Sequence, residues 1–225
     1  MSEETIELKK EFELERMILF SDAVFAIAIT LLIIEIKFPE IAKGTSSPDI
    51  LISFKPVIIR FMGFMLSFFF IGMMWTRHLR IFKYLRSYNT GVIFRNLVFI
   101  FFIVCFPFTA SGITENIRSG FILPIFIYII NIWLVSASQF ILCYYLFAKK
   151  SSLCVTGFDV EKKYILLQSK YSVIILLITI GVMVILSFIF HGDFEHVLLG
   201  FYVMPILLVF VKRHLKKYKP LKSAE

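Results

Sequence analysis

The chain has 225 residues, of which 59% are hydrophobic and 17% aromatic, against about 45–50% apolar in soluble domains; its mean hydropathy is +0.85. This composition describes an integral membrane protein with almost no room for a separate soluble domain. The net charge of +8 therefore concerns loops beside a membrane, where Lys and Arg collect on the cytoplasmic side. No nucleic-acid partner is expected.

Residues 1–15 are mostly acidic and are expected to form a cytoplasmic lead-in. They are charged and are not followed by a small-residue cleavage site, so no signal peptide is expected. A first apolar helix is predicted over 17–36, closed by Lys37, Pro39 and the Lys-Gly-Thr-Ser-Ser-Pro run at 43–48. Glu35 falls near its outer mouth.

A second helix is predicted over 56–75, where Pro56 suits a first turn and Trp75 a membrane interface. The loop 77–90 is basic. A third helix over 92–111 carries Arg95 and Asn96 just inside its start. A long fourth helix, 121–148, contains Asn131, Trp133 and Gln139, polar groups of the kind that bond helix to helix within a membrane. A basic, polar linker over 149–170 leads to a fifth helix at 171–190. A turn bearing His191, Asp193, Glu195 and His196 precedes a sixth at 197–211, with Pro205 inside it.

These segments give a lead-in at 1–15, a membrane domain of six spans at 16–211 and a basic tail at 212–225. Eighteen of the 24 Lys and Arg fall in the lead-in, the second and fourth loops, or the tail; four fall on the other side. That asymmetry predicts a multi-pass protein with both termini cytoplasmic, here in the plasma membrane.

Catalytic signatures are missing. There is no Gly-rich phosphate loop, no Gly-x-Ser-x-Gly and no His-Glu-x-x-His, so neither an enzyme nor an organic cofactor is expected. Cys105, Cys143 and Cys154 form no Cys-x-x-Cys pair and read as packing residues. The cluster from His191 to His196 has ligand types but loop spacing, and reads as a polar turn rather than a metal site.

The first helix is the informative one. Asp22 lies in a segment otherwise apolar enough to span a bilayer. A carboxylate there costs roughly 2.5–3.5 kcal/mol on insertion scales, so it faces protein or water. Ala23, Ile27, Thr30 and Ile34 share one stripe of the helix, with Leu31 adjacent. Asp22 stands about 140° away from Ile27. One face is thus free to line a pore while the other braces against neighbouring helices.

The run Arg16, Phe20, Ser21, Asp22, then Ala26, Ile27, Ala28, Thr30, Leu31, Leu32, resembles the signature of the transmembrane-protein-175 potassium channel family. Trp75 and His78 match that family's Trp-x-x-His pattern, and Asn96 stands where the family places an Asn. Ala23 departs from it, since many relatives have Gly there. The resemblance implies an all-α homotetramer of six-helix subunits in the lipid bilayer, with helix one lining a central pore, Ile27 at its narrow point and K+ as the permeant ion. It also implies that His78 packs against the Phe-Ser-Asp segment, with Arg16, Phe20, Ser21, Asp22, Trp75, His78 and Asn96 as a structural network.

The chain has no Thr-Val-Gly-Tyr-Gly filter, and the carbonyls of an intact helix are already bonded. Selectivity would then rest on side chains: rings of Ile27 and Ile34 that gate by dewetting, and Thr30 hydroxyls between them. Asp22 and Ser21 are expected to bond His78 and Asn96, with Arg16 supplying positive charge. A small proton-coupled transporter using Asp22 or His78 and a non-conducting scaffold are the alternatives. Asp22→Ala is expected to cost folded tetramer before it changes selectivity, read by size-exclusion chromatography beside ion flux. A stable tetramer with altered selectivity would contradict this.

Overall fold

The computed structural model describes residues 3–34, 36–39, 46–115 and 121–218. These are helical throughout apart from turns and one isolated bridge between Leu85 and Cys154. Six helical stretches are long and apolar enough to cross a membrane: Glu11–Ile34, Ser53–Phe82, Thr90–Ile113, Leu123–Lys149, Asp159–Ile189 and Glu195–Tyr218.

The helices outrun their apolar segments. α1 (Glu3–Ile34) runs unbroken through the acidic lead-in and across the 15/16 boundary. α2 (Ser47–Phe82) extends past Trp75 by two turns into the basic loop. The third span is two helices, α3 (Thr90–Val104) and α4 (Phe106–Glu115). Pro107 lacks the amide that would bond the carbonyl four residues back, which breaks the ladder there. Asn89 caps α3, its Oδ1 accepting from the Val92 amide at 3.0 Å.

α5 (Leu123–Tyr144) ends in a π-helical turn over 145–149. α6 (Asp159–Ile189) begins twelve residues before the apolar run, so much of the expected linker is helix. The sixth span is also interrupted: α7 (Phe194–Leu198), a 3-10 turn, then α8 (Val203–Leu215), which crosses the 211/212 boundary. Hydropathy reports the membrane, not the helix, which explains these differences. Charged residues continue a helix into water without penalty.

Three apolar clusters order the bundle. One joins α1, α2, α3, α4 and α5 through Phe25, Leu32, Ile71, Phe99, Phe106 and Val135. A second gathers Leu14, Phe82, Val92, Leu142 and Cys154 at one end. A third gathers Ile125, Ile129, Met183 and Val197 at the other. Successive spans therefore alternate in direction, and the basic loops share the end with Leu14 and Cys154.

There the segment after α5 docks by backbone bonds, with the Arg86 and Ser87 amides donating to the Leu153 carbonyl at 2.9 and 3.1 Å. Burial pushes the Cys154 thiol up. All three cysteines are free. Large apolar side chains such as Phe188, 82% exposed, and Leu66, 69% exposed, cover the outside, as lipid contact requires.

Of Asn131, Trp133 and Gln139, two bond across helices. Asn131 Nδ2 donates to Thr109 Oγ1 and Gln139 Nε2 to the Met74 carbonyl, each at 3.4 Å. The Trp133 indole N–H is buried with no hydrogen-bond partner.

One contact tests the packing of the last span. A Cβ on Gly200 would stand 2.4 Å from Met183 Cγ and 3.4 Å from the Met183 backbone, whereas one on Gly181 meets nothing within 4 Å. Gly200→Ala is expected to destabilise by about 1–3 kcal/mol through overpacking, and Gly181→Ala to be neutral or stabilising. Thermal unfolding in detergent distinguishes the two.

Candidate functional site

α1 presents two opposed stripes. Ser21, Phe25, Ala28 and Leu32 are all buried, at 2% exposure or less. Ala23, Ile27, Thr30 and Ile34, each displaced from these by two residues and so by about 200°, are all exposed. Ile27 is 57% and Ile34 66% exposed, with Leu31 beside them at 40%. The Thr30 hydroxyl donates to the Ile27 carbonyl at 2.9 Å. Its proton is thereby committed to the backbone, which leaves the oxygen lone pairs for an acceptor role, such as towards a cation.

The packed side is fixed by two sets of polar bonds. In the first, His78 Nε2 lies 2.9 Å from Asn96 Oδ1, Asn96 Nδ2 donates to Ser21 Oγ at 2.8 Å, and Ser21 Oγ donates to the Met17 carbonyl at 3.0 Å. An amide oxygen only accepts, so Nε2 of His78 carries the proton. Each member then has one consistent role, which is what makes a buried network stable. In the second, Trp75 Nε1 donates to Asp22 Oδ1 at 2.8 Å. Adjacent residues of α1 thus reach different helices, Ser21 to α3 and Asp22 to α2.

The expected bond of Ser21 to Asn96 is present, and the expected pairing of Asp22 with His78 and Asn96 is corrected. Asp22 meets Trp75, while Asn96 and His78 belong to Ser21. Ser21 is at full burial and Asp22 at half, because the 100° between consecutive residues turns one into the bundle and the other along its edge. Trp75 acts as a donor to a carboxylate rather than only as an interface residue. Arg16 and Phe20 stand outside these bonds. Phe20 is 52% exposed. Arg16 is exposed beside the bond from Tyr88 Oη to Glu13 Oε2, 2.9 Å long. That bond to Glu13 holds the Tyr88 phenol above its ordinary range, with burial adding to it and Arg16 opposing it. Glu35 lies outside the described residues.

An aromatic cage around His78 is not visible in the sequence. Its ring stacks on Phe99 at 5.6 Å, with Phe82 tilted against it at 4.1 Å and Phe25 at 5.7 Å. The imidazole is fully buried, and its Nδ1 has no hydrogen-bond partner. A second buried tie also lacks a sequence signal: Ser67 Oγ and Tyr128 Oη, 2.9 Å apart, join α2 to α5. In the turn after α6, His196 bonds Asp193 and stacks on Phe190 at 4.2 Å, with His191 at φ 51°. Among the described residues no group of three His, Cys, Asp or Glu is placed to hold a metal.

The fold and this network define a multi-span, all-helical membrane protein. Its backbone superposes on the crystal structure of a lysosomal potassium-selective channel TMEM175 homolog from Chamaesiphon minutus with a TM-score of 0.70 at 24% identity, covering 90% of this chain and 98% of that one. A variant of the potassium channel MtTMEM175 in complex with a nanobody–MBP fusion gives 0.61 at 20% identity, covering 89% and 93%.

The family model described as endosomal/lysosomal potassium channel TMEM175 matches residues 16–107. Curated relatives are potassium channels of a Chryseobacterium species, 32% identical over 98 residues, and of Chamaesiphon minutus, 33% identical over 112 residues. These alignments cover 44% and 49% of this chain and 47% and 54% of the relatives. The chain thus spans about half the length of the curated relatives it matches.

Removing His78 takes away the donor to Asn96 and leaves a void between three rings. His78→Ala is therefore expected to cost about 2–4 kcal/mol. Trp75→Phe removes only the donor to Asp22 and is expected to cost about 1.5–3 kcal/mol at most, less if water replaces the indole. Thermal unfolding of the purified variants orders them, and His78→Ala proving the milder change would refute the caged role.

Proposed function

We propose that the chain is one subunit of a potassium-preferring cation channel, a homotetramer whose pore is lined by the exposed stripe of α1. The observation that carries this reading is the pairing of a packed α1 face with an exposed one of different chemistry. Elsewhere the outward residues of mid-span are mostly large, as at Phe69 and Phe101, with Gly181 an exception. On α1 the outward face holds Ala23, Ala26 and Thr30 among its aliphatics. Small and hydroxyl residues suit close approach to other helices and to ions rather than to lipid tails.

Four copies around an axis would stack Ile27, Thr30 and Ile34 as rings, about 4.5 and 6 Å apart along the helix. α1 is continuous through Ile27 and Thr30, so the carbonyls there are bonded and ion contact at those levels falls to side chains. Rings of Ile27 and Ile34 close the pore by excluding water. The Thr30 ring, its protons turned to the backbone, replaces part of the hydration of K+. The same reading puts both termini and the basic loops on the cytoplasmic side of the plasma membrane, with residues 16–211 as the channel domain. The transporter alternative is weaker, because His78 is enclosed by rings and Asp22 is tied to Trp75, which leaves neither free to carry protons across.

Purified protein in liposomes under potassium/sodium bi-ionic conditions is expected to give a conductance reversing toward potassium. Ile27→Ala should raise the conductance severalfold, and Thr30→Val should lower the potassium preference without changing oligomeric size. Phe94→Ala, on the opposite surface, should change neither. No conductance from verified tetramers, or one indifferent to Ile27 and Thr30, would overturn the proposal.

A further inference from the structure

A cavity of about 280 Å³ opens between α2, α5, α6 and α8, at the end of the bundle that carries the basic loops. Arg77 and Lys212 stand at its mouth, with Gln168, Tyr171 and Ser172 beside them. Its deeper wall is apolar and includes Met74, Leu176, Met204 and Leu208. Along α8, Lys212 lies two residues short of His214, whose ring meets Tyr171 at the start of the fifth apolar run. From Lys212 to Met204 the wall descends about 12 Å into the span. The cavity thus grades from cationic to apolar over the depth of a headgroup and the upper part of an acyl chain.

Three observations indicate what it takes. No carboxylate is among the described residues lining it. The Arg77 guanidinium bonds the neutral Ser172 hydroxyl, Nη1 to Oγ, at 3.2 Å, so its charge and its remaining donors are uncompensated by the wall. Ser136, 3% exposed, lines the cavity, and its hydroxyl has no hydrogen-bond partner.

We propose that this cavity holds an anionic phospholipid from the leaflet at the basic end. Arg77 and Lys212 receive the phosphate, Ser136 supplies a donor for the ester region, and the α6 and α8 wall takes the start of an acyl chain. Two cations without a counter-charge favour a lipid of net negative charge over a zwitterionic one. The apolar shaft is what separates a lipid from a free anion as occupant. This proposal does not depend on ion conduction.

Native mass spectrometry of the purified protein, titrated with phosphatidylglycerol or with phosphatidylcholine of the same chains, tests it. Phosphatidylglycerol is expected to be retained in preference. Lys212→Gln, at an exposed position, should weaken retention roughly fivefold, and Arg77→Gln combined with it should weaken it further. Leu208→Trp fills the shaft without touching charge and should also weaken retention. Equal retention of the two lipids, or no change in Lys212→Gln, overturns the proposal. Displacement by millimolar inorganic phosphate together with indifference to Leu208→Trp would reduce the site to one for a simple anion, and overturns it equally. Should Arg77→Gln fail to fold, the two remaining variants decide.

Discussion

The rotation of α1 about its own axis depends on two hydrogen bonds made by neighbouring residues. In a bilayer there is little hydrophobic force between helices, because lipid tails are as apolar as leucine. An apolar helix is then free to turn unless directional contacts stop it. Ser21 is bonded to Asn96 at 2.8 Å and Asp22 to Trp75 at 2.8 Å. The two side chains diverge by 100° and are held by different helices. No rotation of α1 satisfies one bond better without loosening the other. The outward direction of Ala23, Ile27, Thr30 and Ile34 follows from that constraint, not from any contact those residues make.

His78 extends the constraint to α2 and α3. Its Nε2–H completes Asn96, so that the amide is satisfied on both its oxygen and its nitrogen. The rings of Phe25, Phe82 and Phe99 come from α1, α2 and α3 respectively and close around the imidazole. The three helices are thereby tied by one polar chain and sealed by one apolar shell. Removing water from around the chain strengthens its bonds, and a low dielectric makes an incomplete set expensive. The residues matched by the family model, 16–107, are those that build this unit.

How much of this was legible in the sequence follows from what each signal measures. Hydropathy located all six spans, since burying twenty apolar residues has few other uses. It misplaced the ends of α1, α2 and α6, where charged residues continue a helix into water, and it passed over the breaks at Pro107 and between α7 and α8. The polar members of the network were recognisable because polar groups in a span are costly and therefore few. Their pairing was not, because Ser21 and Asp22 differ only by a rotation that sequence does not fix. The cage was illegible for the opposite reason. Among 27 phenylalanines, nothing marks Phe25, Phe82 and Phe99 as the ones that meet His78.

The constraint on α1 also limits how the outward face can work. The helix is unbroken from Glu3 to Ile34, so the carbonyls of Ala23, Ile27 and Thr30 are each engaged by an amide one turn on. Loops can discriminate ions with backbone oxygens because they leave them free; this helix does not. On the exposed stripe Thr30 is the one residue with a side-chain oxygen, and its hydrogen is directed at the Ile27 carbonyl. Under the proposed reading, discrimination comes from a single level of hydroxyls between two aliphatic levels. Such a site exchanges only part of a hydration shell, so it favours the ion that gives up water most readily. It grades cations by dehydration cost rather than by a fitted cage.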